Sequence, residues 1–442
     1  MFLKLGHIPT LVISSSKLAR EIIKSHDITF SNRLQITAAN ILLYGCHDVG
    51  FAPYGEYWRE ARKFCVMELL SAKRVESFQH VRDEEVALLV KRVHKACIED
   101  NDSSSSSVNL NRLLLSTSNN IVSRCVLGEK FEDENGKSRF GEVSRRVMVL
   151  MAGFCVADFF PGFRWIDVLR GFIGELKSTF QTLDAFFDEV IEKHREKMMR
   201  TDDHQSDVKD FVDIMLQLQR DEALDYCFSR DNIKAILLDM LVGGTETTAI
   251  GLEWTMAELT RNPQAMKKVQ EEIRRIVGKK TKIEMEDTKK MEYMNCVIKE
   301  SLRLHPLAPL LVPRETSGIV TLEESYQIPS KTSIWINAWA IQRDPETWES
   351  PNEFIPERFM EKNSVDFKGQ DFEFIPFGSG RRKCPAISFG LASFEYVLAN
   401  LLYWFDWKLP EEMAGELDIS EEHGLTVRKK IPLHLNPIPY TM

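Results

Sequence analysis

One stretch limits the fold more than any other: DNIKAILLDMLVGGTETTAIGLEWTMAELTRNP, from Asp231 to Pro263. Asp231 can cap a helix start, and Asn262-Pro263 is a stop signal. At about 1.5 Å per residue the helix between them spans roughly 45 Å, about the width of a domain. Asp239, Glu246 and Glu253 interrupt its apolar run, so it reads as a buried core helix. No apolar run, this one included, reaches the ~20 residues that cross a bilayer.

The middle of this helix is unusual. Gly243 and Gly244 stand beside Thr245, Glu246, Thr247 and Thr248, and each interior glycine costs about 1 kcal/mol relative to alanine. Threonine hydroxyls compete for backbone carbonyls and can open the turn, freeing polar groups for water or a ligand. The competing reading is a tight helix crossing that needs small residues. The residues alone leave both open.

Most of the remaining chain has helical periodicity, as in SKLAREIIKSH and SFQHVRDEEVALLVKRVHKACIED. Strand-like pieces are few: Leu5 to Ser14, Thr332 to Ile336, and Leu425 to Leu435. Polar stretches at Asn101–Ser107 and from Thr201 read as loops. No repeat or long linker divides the 442 residues, so the expectation is one domain, 1–442, mainly α with a small β part. A net charge of −9 argues against a general nucleic-acid binder. The eight cysteines (46, 65, 97, 125, 155, 227, 296 and 384) form no CxxC pair, so neither a disulfide framework nor a zinc-finger pattern is indicated.

Three constellations carry possible chemistry. KESLRLHP places Glu300 and Arg303 one turn apart, and FIPERF supplies Arg358. A buried carboxylate held by two guanidiniums would fix a loop, whereas an exposed pair would contribute little. YGEYWREARK sets Trp58 and Arg62 four apart, two donors suited to an anionic ligand or simply to core packing. PFGSGRRKCPAISFG isolates Cys384 between a glycine turn and Pro385. Such a thiol can be an apolar filler, a zinc ligand, a redox group or a ligand to a metal cofactor.

In order along the chain, WREAR, GGTETT, KESLR, PERF and PFGSGRRKC resemble the cytochrome P450 haem-thiolate monooxygenases, in particular the plant microsomal A-type group. Phe377, Gly380, Arg382 and Cys384 meet that family's Phe-x-x-Gly-x-Arg-x-Cys pattern. The resemblance implies the cytochrome P450 fold, with the long central helix over haem b. It implies Cys384 as the iron ligand, with Trp58, Arg62, Arg314, Phe377 and Arg382 holding the haem. Glu300, Arg303 and Arg358 would form a structural triad, and Thr247 and Glu246 would handle protons during oxygen activation. Substrate would meet Phe154, Gly243, Leu310, Leu311 and Leu425.

The implied activity is insertion of one oxygen atom of O2 into a small hydrophobic plant metabolite. No flavin or nicotinamide fingerprint is present, so NADPH would act through NADPH-cytochrome P450 reductase, docking near Lys63, Arg381 and Lys383. A haem-thiolate isomerase or dehydratase, or a non-catalytic haem-binding protein, is the alternative. The resemblance places the protein at the cytosolic face of the endoplasmic reticulum membrane. The family's anchor helix and proline-rich hinge are not among these residues, and peripheral membrane contact would fall to ADFFPGFRWIDVLRGFIG. Two positions depart from the pattern: Ala386 stands where glycine is usual, and Lys383 where an apolar residue is commoner.

Overall fold

A computed structural model of the chain describes residues 1–99, 107–131, 139–200, 209–221, 229–323, 325–360, 365–410 and 417–441. Of the two polar stretches read as loops, residues 101–106 and 201–208 lie outside the described part.

The central helix runs from Arg230 to Arg261, and Pro263 opens the next helix. Its cap is Ser229 rather than Asp231. The Ser229 hydroxyl accepts from the Asn232 amide, and the Asn232 side chain returns the bond to the Ser229 backbone. Among the described residues this is the one helix long and apolar enough to cross a membrane, but 67% of that apolar window is buried inside the fold. Its packing partners are Leu110–Leu127, Glu292–Leu304 and Ile387–Trp404.

The central helix does not break at its glycines; it is continuous through residues 230–261. The hydroxyls of Thr245, Thr247 and Thr248 bond back to the carbonyls of Leu241, Gly243 and Gly244 at 2.8, 2.7 and 3.3 Å. Each hydroxyl therefore shares an i−4 carbonyl without opening the turn.

Sheet structure is peripheral. Strand Ile8–Ile13 pairs antiparallel with Phe2–Leu5 and parallel with Ser333–Ile336, in the register Thr10↔Ser333. Arg314–Glu315 completes the sheet on the other side of Ser333–Ile336. Beneath it lies a separate apolar cluster that includes Ile13, Phe30, Ile334 and Phe372. The C-terminal strand His434–Pro439 joins Val108–Asn109 and Phe405–Lys408. The short strands at 405–408 and 320–328 carry too little alternation to stand out in the sequence.

Candidate active site

Cys384 lies just ahead of the helix Ile387–Trp404, whose N-cap is Ala386. The loop before it turns on Gly378 and Gly380, at φ +67° and +69°. At Gly380 a side chain would also strike Ile23 Cγ2 at 2.5 Å and Asp27 Oδ1 at 2.8 Å, so glycine is required on both counts. The Cys384 amide donates to the Phe377 carbonyl at 3.0 Å, and the Phe377 ring meets Phe367 edge-on at 5.3 Å. Burial pushes the thiol above its usual range, opposed by the Ala386 N–H and then by Arg62 and Lys383. A backbone donor, a helix N-terminus and two nearby cations are the surroundings that stabilise a thiolate.

Beside the thiol is a cluster of guanidiniums. Arg62, on the helix Glu56–Phe64, donates to the Lys383 carbonyl at 2.5 Å. Arg382 lies over the Trp58 ring at 4.1 Å and donates to the carbonyls of Ser31, Val49 and Ala52. Arg314 donates to Asp27 Oδ1 at 3.1 Å and the Ser379 carbonyl at 2.7 Å. Trp58 gives its indole N–H to the Val49 carbonyl at 2.9 Å, so in this structure its ring is a plate beside Arg382 and Arg62.

Arg33 completes the cluster and was not marked by any motif. It is buried and donates to the carbonyls of Gly50, Val312 and Pro313. Burial, then Arg382 and Arg314, hold its guanidinium well below the usual range. Arg382 is lowered to about 9 by burial and then by Arg314, with Arg62 adding to the effect. Most of these donors meet neutral carbonyls, which satisfy hydrogen bonds without cancelling charge. Two carboxylates at the edge of a bound group would cancel it. The donor set therefore fits haem.

One face of the central helix is incompletely buried. Asp239, Gly243, Glu246 and Thr247 escape full burial, while Leu238, Leu241, Thr245 and Thr248 do not. A methyl group on Gly243 would meet nothing within 4 Å, whereas one on Gly244 would press Val122 at 3.2 Å. Both readings of the double glycine therefore hold, one for each residue. Burial raises the Glu246 carboxyl, opposed by Arg428 and Arg145. Leu310, Leu311 and Leu425 are half-buried. Phe154 differs: it is 54% exposed and stacked on Phe159 at 5.1 Å. Like Phe160, Phe163 and Trp165, it is an exposed aromatic.

Behind the cysteine loop, Glu300 and Arg303 are fully buried. Arg303 grips both oxygens of Glu300 at 2.7 and 2.9 Å, and Arg358 reaches Oε1 at 3.1 Å. The spare donors of Arg303 hold the carbonyls of Gln342, Pro351 and Glu353, so the group ties a helix to the segment 342–358. This chain also answers the question of Ala386. Its φ is −100°, open to any residue, so the backbone there does not require glycine.

A thiol at a helix N-terminus, a cluster of guanidiniums beside it and the long central helix packed against that same helix fit a haem-thiolate protein. The cytochrome P450 family model matches residues 1–435, and the chain belongs to that family. It is 51% identical over 444 residues to phenylacetaldehyde oxime monooxygenase CYP71AN24 of Prunus mume, covering 100% of this chain and 83% of the relative. It is 50% identical to cytochrome P450 71A1 of Persea americana (98% and 86% covered) and 45% identical to strychnine-11-hydroxylase of Strychnos nux-vomica (99% and 84%). Zebra fish cytochrome P450 with abiraterone shares the fold, with a TM-score of 0.81 at 22% identity, covering 100% of this chain and 96% of the other. The chain is thus a cytochrome P450 monooxygenase of the plant CYP71 type, with haem as its cofactor.

Proposed function

We propose that residues 1–442 form a single catalytic domain in which Cys384 ligates haem iron. Arg62, Arg314 and Arg382 hold the propionates, Trp58 is the plate between guanidiniums, and Phe377 braces the loop. The observation that carries this reading is the thiol beside a cluster of four guanidiniums, with an amide directed at its sulfur. When bound, the haem supplies the electron-transfer and dioxygen-activating chemistry of a cysteine-ligated iron centre.

The chain's own residues orient substrate, exclude water and move protons. Thr247 presents its hydroxyl on the incompletely buried helix face, and Glu246, raised by burial, is placed to pass protons inward. Gly243, Leu310, Leu311 and Leu425 line a chamber suited to a small hydrophobic substrate. The relatives named for an aldehyde oxime and for strychnine support a compact specialised metabolite as the substrate.

Electrons come from NADPH through NADPH-cytochrome P450 reductase, a partner that would meet Lys63, Arg381 and Lys383. Arg381 reaches Asp27 at 3.5 Å and Lys63 reaches Glu60 at 3.7 Å, and both side chains stay exposed despite those pairs. The exposed Phe160, Phe163, Trp165, Val168 and Leu169 support peripheral contact with a membrane, at the cytosolic face of the endoplasmic reticulum. The test is the reduced carbon monoxide complex. A far-red-shifted Soret band that is lost in Cys384→Ser supports the assignment; its absence from folded, haem-loaded wild-type protein overturns it. Turnover that requires reductase and NADPH, and not peroxide alone, separates monooxygenation from isomerisation.

A further inference from the structure

Trp254 lies on the central helix two turns beyond Thr247, a separation that returns to nearly the same face. It is 1% exposed. Its indole stacks on His305 with ring centroids 4.0 Å apart and planes 5° from parallel. Its N–H donates to the Val427 carbonyl at 3.2 Å. The Val427 amide in turn donates to the Leu307 carbonyl at 3.0 Å. His305 is fixed from its far side, with Nε2 against Glu258 Oε1 at 2.9 Å, and Glu258 also holds Arg261 at 3.2 Å.

This chain of contacts joins two segments far apart in sequence. His305 leads directly into Leu307–Leu311, and Val427 closes the turn 424–427. Leu307 itself comes down on the central helix between Thr247 and Trp254, its Cδ1 lying 3.6 Å from where a Gly251 methyl would stand. Each segment is otherwise irregular, so its position depends on such cross-links. We propose that Trp254 is a positioning residue that sets ligand size. Its N–H and its stack on His305 fix the spacing of the two walls, although the ring itself is buried behind them. The inference rests on the reading of 307–311 and 424–427 as chamber walls.

Two nitrogen ligands of the haem iron test it in the holoenzyme, each read by its Soret shift. Imidazole needs only the iron, whereas phenylimidazole must also fit between the walls. Trp254→Phe keeps a ring against His305 and removes the donor. The expected result is phenylimidazole binding weakened about threefold or more, in line with one lost hydrogen bond, with imidazole binding unchanged and the carbon monoxide spectrum intact. Leu425→Ala changes a wall directly and should shift the same ratio. A shift in Leu425→Ala with none in Trp254→Phe overturns the clamp and leaves the walls standing. No shift in either overturns both. Should Trp254→Phe yield no folded holoenzyme, hydrogen exchange of the wild type decides. The Val427 amide is expected to be protected, and exchange as fast as that of exposed His423 and Gly424 would overturn the clamp.

Discussion

Gly243 and Gly244 are adjacent in the chain and opposite in surroundings. The first faces open space, and the second lies against Val122 of the crossing helix. Gly243→Ala should stabilise the fold by up to about 1 kcal/mol through helix propensity, while its methyl narrows the chamber and weakens binding of bulky ligands. Gly244→Ala forces a buried crossing apart by a few tenths of an ångström, which offsets the same gain. Thermal unfolding should therefore rank Gly243→Ala above Gly244→Ala.

Thr247 is expected to matter for coupling rather than for folding. Thr247→Ala should leave the fold intact, because among the described residues its hydroxyl bonds only to the Gly243 carbonyl of its own helix. Electron use should become uncoupled from product, measured as NADPH consumed per hydroxylated product. Normal coupling in that variant would remove Thr247 from the proton path.

Breaking the Glu300 network should be costly and unequal. Glu300→Gln leaves two guanidiniums without their carboxylate in a dry site, a loss of about 3–5 kcal/mol for a buried pair. Arg358→Lys should cost less, because Arg358 lies at the edge with its side chain 12% exposed. Denaturant midpoints of the haem-loaded variants would measure the difference.

A pair of acids should make stability depend on pH. Asp239 accepts the amides of Val49 and Gly50 at 2.6 and 3.1 Å, and Asp48 accepts that of Phe51 at 2.6 Å. Burial and then the neighbouring Asp48 push Asp239 well above the carboxylate range. Asp48 is raised to about 6, mainly by burial. A raised acid contributes its stability when protonated, so stability should fall as the pH climbs through about 6. Asp239→Asn mimics the protonated carboxyl and can still accept both amides. It should be tolerated and should flatten that decline, whereas Asp239→Ala should not be tolerated. Melting temperatures from pH 5 to 8 would separate the two.

Ala386→Gly should leave the carbon monoxide spectrum unchanged and lower stability by no more than about 1 kcal/mol, through added freedom of the unfolded chain. A spectral shift would mean that the methyl group touches the haem environment.

The sequence by itself determined the long buried helix, the strands Ile8–Ile13 and Ser333–Ile336, and the ordered motifs around Cys384. Each depends on local spacing: apolar periodicity, a stop at Asn262-Pro263, and glycines at backbone positions that only glycine adopts easily. It could not mark Arg33, whose importance arises because Phe30–Ile36 packs beside Arg382 and Arg314. It could not divide the two glycines, since the neighbour of Gly244 comes from a helix more than a hundred residues earlier. Nor could it join His305 to Trp254 and Trp254 to Val427. Those relationships are distances between segments remote in sequence, and burial and charge take their values only once packing sets those distances. Nor could periodicity show that Phe154 is exposed and stacked on Phe159.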